Sequence, residues 1–175
     1  MSGQKIALCG YMGSGKTEVG KRLSEELKLD FVDLDQEIST HEKKSIPLIF
    51  QKKGEVYFRK IEHQLLQSLL LKDSAIVLSL GGGTPCYGNN LDLLKQSKVK
   101  LVYLKANLTT LTDRLFEQKN TRPLISHYHQ KNDLEEFVRK HLFERSFFYL
   151  QSDLVVEVDG KSGENIVSEI ISDLK

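Results

Sequence analysis

The stretch Gly10-Tyr11-Met12-Gly13-Ser14-Gly15-Lys16-Thr17 constrains this chain more than any other. It fits G-x-x-x-x-G-K-[ST] throughout, the pattern of a loop that wraps phosphate groups. The apolar run Ile6 to Cys9 precedes it and reads as a buried parallel strand. Val19, Leu23 and Leu27 follow at helical spacing, with Lys21, Arg22, Glu25 and Glu26 between them. A strand passing through glycines into a helix aims unpaired N–H groups and the positive end of the helix dipole at one point. The glycines let the backbone curl with its amides inward, which a β-carbon would obstruct. Gly13, Ser14, Gly15, Lys16 and Thr17 are therefore expected to bind a nucleoside triphosphate, with Lys16 on the β- and γ-phosphates and the Thr17 hydroxyl on Mg2+. A ligand-free turn would account for the glycines alone, but not for the full motif in this setting.

Size and charge narrow the classes further. With 175 residues, 39% of them hydrophobic, the chain is expected to form one domain with a sizeable core. Lys and Arg total 25 against 24 Asp and Glu, so no global field attracts nucleic acid or an anionic membrane. No apolar run approaches the roughly 18 residues of a membrane span. Met1 to Lys5 lead directly into the first strand, which leaves no room for a signal peptide. Cys9 and Cys86 are too few for a disulfide framework, and a reducing cytoplasm is the expected setting. No feature demands an oligomer, so a monomer is the default.

Strand and helix patterns alternate along the whole chain. Strands are expected at Ile6–Cys9, Phe31–Asp33, Ala75–Leu80, Leu101–Leu104 and Leu154–Val158. Helices are expected near Thr17–Leu27, Asp35–His41, Pro47–Lys53, Val56–Leu71, Leu91–Gln96, Leu108–Gln118, Leu134–Leu150 and Glu164–Leu174. Such alternation predicts an α/β fold of right-handed βαβ units, a parallel sheet covered on both faces. Ligands then gather outside the carboxyl ends of the strands. Lys119–Asn132 breaks the pattern: it is polar, contains a proline and has no clean period. Long loops of this kind are often functional, and a mobile lid over the phosphates would exclude water from phosphoryl transfer.

Other side chains suggest chemistry near that loop. Asp33 and Asp35 close the second strand and would share a face if it continued, one near a metal and the other near an acceptor hydroxyl. The competing reading is a helix N-cap, since a helical pattern follows. The strand Ile76–Leu80 ends in Gly81-Gly82-Gly83 rather than an aspartate, which leaves Asp33 as the carboxylate best placed for Mg2+, through a water. The glycines would let a substrate lie against bare backbone N–H groups; alone, they equally suit a flexible turn. Arg59 and Arg145, each an ordinary surface arginine by itself, could together grip a carboxylate. Glu62, one helical turn after Arg59, could orient it. Arg122, inside the expected lid, is placed to stabilise charge on a γ-phosphate.

At this point the chain resembles the shikimate kinase family. The resemblance rests on GYMGSGKTEVGKRL, the FVDLD pair, IFQKKGEVYFRKIE, LSLGGG, the RPL of the lid and the R-x-x-x-Y of the late helix, in the family's order. It implies a three-layer P-loop kinase fold with a central five-stranded parallel sheet, helices on both faces, a substrate-binding region at about 34–62 and a lid at about 119–132. It implies ATP- and Mg2+-dependent phosphorylation of the 3-hydroxyl of shikimate, in the biosynthesis of chorismate and aromatic amino acids. By motif, Asp35 would act on the acceptor hydroxyl, and Arg59, Arg145 and Gly81 to Gly83 would hold the acceptor. Lys16 and Arg122 would serve the transferred phosphate, Arg114 the adenine, and Thr17 and Asp33 the metal. Asp159-Gly160-Lys161-Ser162-Gly163 resembles the adenine loop, although Lys161 and Ser162 stand where an arginine is common. Leu150 to Asp153 runs a residue shorter than the family pattern, and the lid's His127 and His129 are unusual.

Other kinds of protein would share part of this pattern. Gluconate kinase also places carboxylates after the second strand, while nothing marks the second nucleotide pocket of an adenylate-kinase-like enzyme. A regulatory module that binds ATP and signals by closing its lid is a further alternative, against which Asp33, Asp35, Lys16 and Arg122 argue. No N-K-x-D guanine-reading motif is present.

Overall fold

A computed structural model describes residues 4–122 and 124–174. Strand β1 (Lys5–Cys9) runs into helix α1 (Lys16–Leu27), and β2 (Asp30–Asp33) leads into α2 (Leu34–Glu42) and α3 (Ile46–Leu71). Then come β3 (Ile76–Ser79), a 3-10 turn at Thr84–Cys86, α4 (Asn90–Gln96), β4 (Val99–Lys105) and α5 (Leu108–Glu117). A second 3-10 turn (Lys119–Thr121), α6 (Lys131–Tyr149), β5 (Leu154–Glu157) and α7 (Gly163–Asp173) complete the order.

The strands form one sheet in the order β2-β3-β1-β4-β5, and every neighbouring pair is parallel. This is the five-stranded parallel α/β architecture that the sequence predicts. The connection from β1 to β2 runs across the sheet in the opposite direction to the later ones. Right-handed crossovers therefore place α1 on one face and α3 and α4 on the other, while α7 returns to pack beside α1. Strand β1 lies between two strands whose connections leave toward the opposite face, and a crevice opens at its carboxyl end. The loop after β1 occupies that crevice.

Burial explains why these segments are strands. Ile6, Ala7, Leu8 and Cys9 have no exposed surface, and β3 and the middle of β4 are buried as continuously. Apolar runs without alternation suit a sheet covered on both faces.

The two helices expected at Pro47–Lys53 and Val56–Leu71 are both present within α3, which leaves helical backbone between them at Gly54 (φ 80°, ψ 172°). That backbone combination is open almost only to glycine, so Gly54 is the kink at which one helix stops and the next begins. The expected lid is shorter and more structured. Lys119–Thr121 is helical, Ile125 is completely buried, and α6 already begins at Lys131. Pro123 of the RPL motif lies outside the described residues. No described helix is long and apolar enough to cross a membrane.

Candidate active site

The loop after β1 curls as its glycines demand. Gly15 has φ 96°, in the left-handed region, and directly precedes α1. Lys16 is 9% exposed and folds back over the loop, donating from Nζ to the Gly10 carbonyl at 2.9 Å and the Tyr11 carbonyl at 3.1 Å. Burial lowers its pKa to about 8, against the pull of Asp35, and an arriving polyanion would favour its charged form further.

The carboxylate pair is arranged differently from the expectation. Asp33 and Asp35 do not share a strand face, because β2 ends at Asp33 and Asp35 belongs to the first turn of α2. Asp33 is the N-cap: its Oδ1 accepts from the backbone N–H of Asp35 at 3.1 Å and of Gln36 at 3.3 Å. Its other oxygen, Oδ2, accepts from Thr17 Oγ1 at 3.1 Å. A hydroxyl and a carboxylate thus meet beside the phosphate loop, a hard-oxygen pair suited to Mg2+ that also takes oxygens from water and phosphate. The cap and the metal-side reading are compatible, because each uses a different oxygen.

Asp35 opens into the cleft, yet the surrounding protein strips enough water from its carboxyl to raise the pKa to about 6. Asp33 and Glu62 push in the same direction, while Lys16 and Arg59 oppose them. A carboxyl so placed can take a proton near neutral pH.

The three glycines after β3 explain how the acceptor groups converge. A β-carbon on Gly81 would lie 2.8 Å from Asp35 Oδ1, and one on Gly83 would lie 3.0 Å from Arg59 Nη2. One on Gly82 would approach Arg145 Nη1 at 3.8 Å. The aspartate and both arginines therefore converge on three consecutive backbone positions.

Arg59 donates to Glu62 Oε2 at 3.0 Å, and Glu62, 1% exposed, accepts from Thr84 Oγ1 at 2.7 Å. The Tyr87 ring lies under the guanidinium of Arg59, 3.7 Å from its carbon. Arg145 lies over the Tyr11 ring at 5.5 Å, and Tyr149, one turn later, donates its hydroxyl to the Gly82 carbonyl. Thr84, Tyr87 and Tyr11 were not singled out from sequence, because they act only through partners distant along the chain. Of these contacts, only Arg59 with Glu62 had a helical spacing to reveal it.

A cleft of about 580 Å³ opens beside these groups. Its lining includes Gly13 to Thr17, Asp33, Asp35, Gly82, Arg114 and Arg122. Arg59, Arg145, Gly81 and Gly83 are not in that lining and flank it across the glycine turn. Arg114 donates to the Gly13 carbonyl at 3.0 Å, and Arg122 donates to Gln118 Oε1 at 3.0 Å. The expected adenine loop closes another side, where Lys161 lines the cleft and pairs with Glu169 at 2.5 Å. Ser162 caps α7. Among the described residues no group of three His, Cys, Asp or Glu side chains converges on a metal site. His127 instead stacks on Tyr128. Burial raises the Cys86 thiol to about 11, which makes it a poor nucleophile.

One end of this cleft suits phosphates, and the other suits a small anion with hydroxyl groups beside a carboxyl of raised pKa. A small-molecule kinase of the P-loop class is built in this way. Comparison with known proteins narrows the class. The family model described as Shikimate kinase matches residues 12–175. The shikimate kinase of Flavobacterium psychrophilum is 45% identical over 167 residues, 95% of this chain and 96% of that protein. The structure of shikimate kinase from Acinetobacter baumannii in complex with shikimate superposes with a TM-score of 0.88 at 33% identity, covering 99% of this chain and 93% of that one. That of shikimate kinase from Bacteroides thetaiotaomicron superposes with a TM-score of 0.91 at 30% identity, covering 98% of each chain. The chain belongs to the shikimate kinase family.

Proposed function

We propose that this chain transfers the γ-phosphoryl group of ATP to the 3-hydroxyl of shikimate, giving shikimate 3-phosphate and ADP. The observation that carries the reading is the convergence of Asp35, Arg145 and Arg59 on the turn Gly81 to Gly83, where an added β-carbon would lie 2.8, 3.8 and 3.0 Å from them, beside the phosphate loop. Two arginines at one end and a carboxylate at the other match an acceptor that bears a carboxylate and ring hydroxyls. Gly13 to Thr17 hold the triphosphate through backbone amides and Lys16. Arg114, which lines the cleft and donates to the Gly13 carbonyl, is assigned to the base, and Arg122 to charge on the transferred group. Asp35 orients the attacking hydroxyl and accepts its proton as the new P–O bond forms and the bond to ADP breaks. Mg2+, held by Thr17 and through water by Asp33, would neutralise charge on the β- and γ-oxygens. The remaining residues position their groups and exclude water. The reading includes a monomer acting in the cytoplasm, with no nucleic-acid or membrane partner.

The test is ADP release from Mg-ATP with shikimate, gluconate, AMP or no acceptor. Release that depends on shikimate is the expected result. Turnover with gluconate or AMP alone would reassign the acceptor, and ATP binding without turnover would favour a regulatory module.

A further inference from the structure

The contacts of Arg59 are not equivalent. Its Nη1 is held by Glu62, which is buried and fixed in turn by Thr84. Its flat face rests on Tyr87. Of its two forked edges, Nη1 with Nη2 lies toward Gly83, and Nε with Nη2 is the second that can bind a carboxylate by two parallel hydrogen bonds. In this structure that fork is taken by the protein itself: Nε and Nη2 both donate to Glu55 Oε1, each at 3.3 Å.

The contact with Glu55 is loose in three respects. Both bonds converge on one oxygen, so the second carboxylate oxygen of Glu55 is unused on this edge. Both are longer than the roughly 2.7–2.9 Å of a good charge-assisted bond. The Glu55 side chain is 52% exposed, against 1% for Glu62. A ligand carboxylate presenting two oxygens would make the better pair. Glu55 also has a favourable place to go. It follows the break at Gly54, so it begins a helical segment whose first N–H groups favour a nearby carboxylate.

We propose that Glu55 is an internal placeholder for the carboxylate of the acceptor, occupying the forked edge of Arg59 until the acceptor displaces it and thereby setting acceptor affinity. The inference rests on the reading that Arg59 grips the acceptor carboxylate. Tyr87 and Glu62 keep the guanidinium in one plane during the exchange, so the fork stays formed while its partner changes. The rival account is an ordinary exposed ion pair at i,i+4, which has no bearing on the acceptor.

The two accounts differ in the sign of one measurement. Glu55→Gln and Glu55→Ala are expected to lower the shikimate KM about two- to five-fold, the range that release of an exposed ion pair supplies. The direct shikimate dissociation constant should move with it, while the KM for ATP serves as an internal reference. An unchanged or raised shikimate KM in both variants overturns the proposal. Arg59→Lys, measured in parallel, separates this failure from failure of the underlying assignment. It should raise the shikimate KM, and in its background the effect of Glu55→Gln should shrink. If Arg59→Lys leaves the KM unaltered, the grip by Arg59 is wrong and the placeholder falls with it. A full Glu55 effect that persists without the arginine also overturns the proposal, since Glu55 would then act only as a repelling charge.

Discussion

At the scale of single residues, Asp35 carries the sharpest expectation. On the proposed role its carboxyl must be ionised to receive a proton, and desolvation by the surrounding protein raises its pKa to about 6. Turnover per acceptor encounter should therefore fall as pH drops through about 6, approaching a tenfold loss per unit below it. Asp35→Asn should lower kcat on the order of 10²–10⁴-fold while ATP binding, measured by titration, persists. Near-normal turnover would remove Asp35 from the chemistry. The same shift sets a sign for stability. The folded state holds this proton more tightly than the unfolded chain, so stability falls as pH rises from the ordinary value of 3.8 to about 6. An asparagine cannot ionise, so the melting temperature of Asp35→Asn should gain on that of the parent more at pH 7 than at pH 4. Arg145 gives a second expectation. Replacing its fork by an ammonium in Arg145→Lys should weaken acceptor binding, read as a higher shikimate KM with a smaller change in kcat. The identities of both residues were readable from their motifs. That Asp33 serves as both cap and hydroxyl partner was not readable, because Thr17 lies on a different element.

At the scale of elements, the glycine turn after β3 is the joint on which the acceptor side depends. Its sequence alone suited a flexible hinge as well as a binding surface. Packing resolves the matter, since a β-carbon at Gly81 or Gly83 would crowd Asp35 and Thr84 or Arg59, while one at Gly82 would meet Met12 and Arg145 at ordinary contact distance. A methyl group on Gly81 would fall 2.8 Å from Asp35 Oδ1 and 2.9 Å from Thr84 Oγ1, so both must shift to admit it. Gly81→Ala should therefore raise the shikimate KM and lower kcat, by on the order of ten- to a hundredfold in kcat/KM. The ATP dissociation constant should move far less, and equal losses for both substrates would show general damage instead. Gly54 interrupts the apolar period of α3 and reads as a boundary, and the backbone does leave helical geometry there, in a conformation that glycine adopts readily.

At the scale of the whole molecule, the expected lid borders the cleft through Arg122. Ile125 is fully buried and Leu124 is 61% exposed, so the segment is anchored in the core at one residue and faces solvent at its neighbour. Hydrogen exchange across residues 119–132 is expected to slow when Mg-ATP and shikimate are both present. Exchange indifferent to both ligands would rule out closure. The order of strands was only partly legible beforehand. Alternating strand and helix patterns predicted parallel βαβ units with a buried first strand, but the placing of β1 between β3 and β4 is a long-range pairing. Sequence by itself determined the phosphate loop, the α/β class and the identity of the charged groups, because backbone curl, burial period and side-chain chemistry are local properties. Tertiary structure alone decided that Asp35, Arg59 and Arg145 meet at Gly81 to Gly83 and that Glu55 sits on the fork of Arg59. Those meetings depend on which surfaces pack together, and packing free energy belongs to the assembled sheet and helices rather than to any one segment.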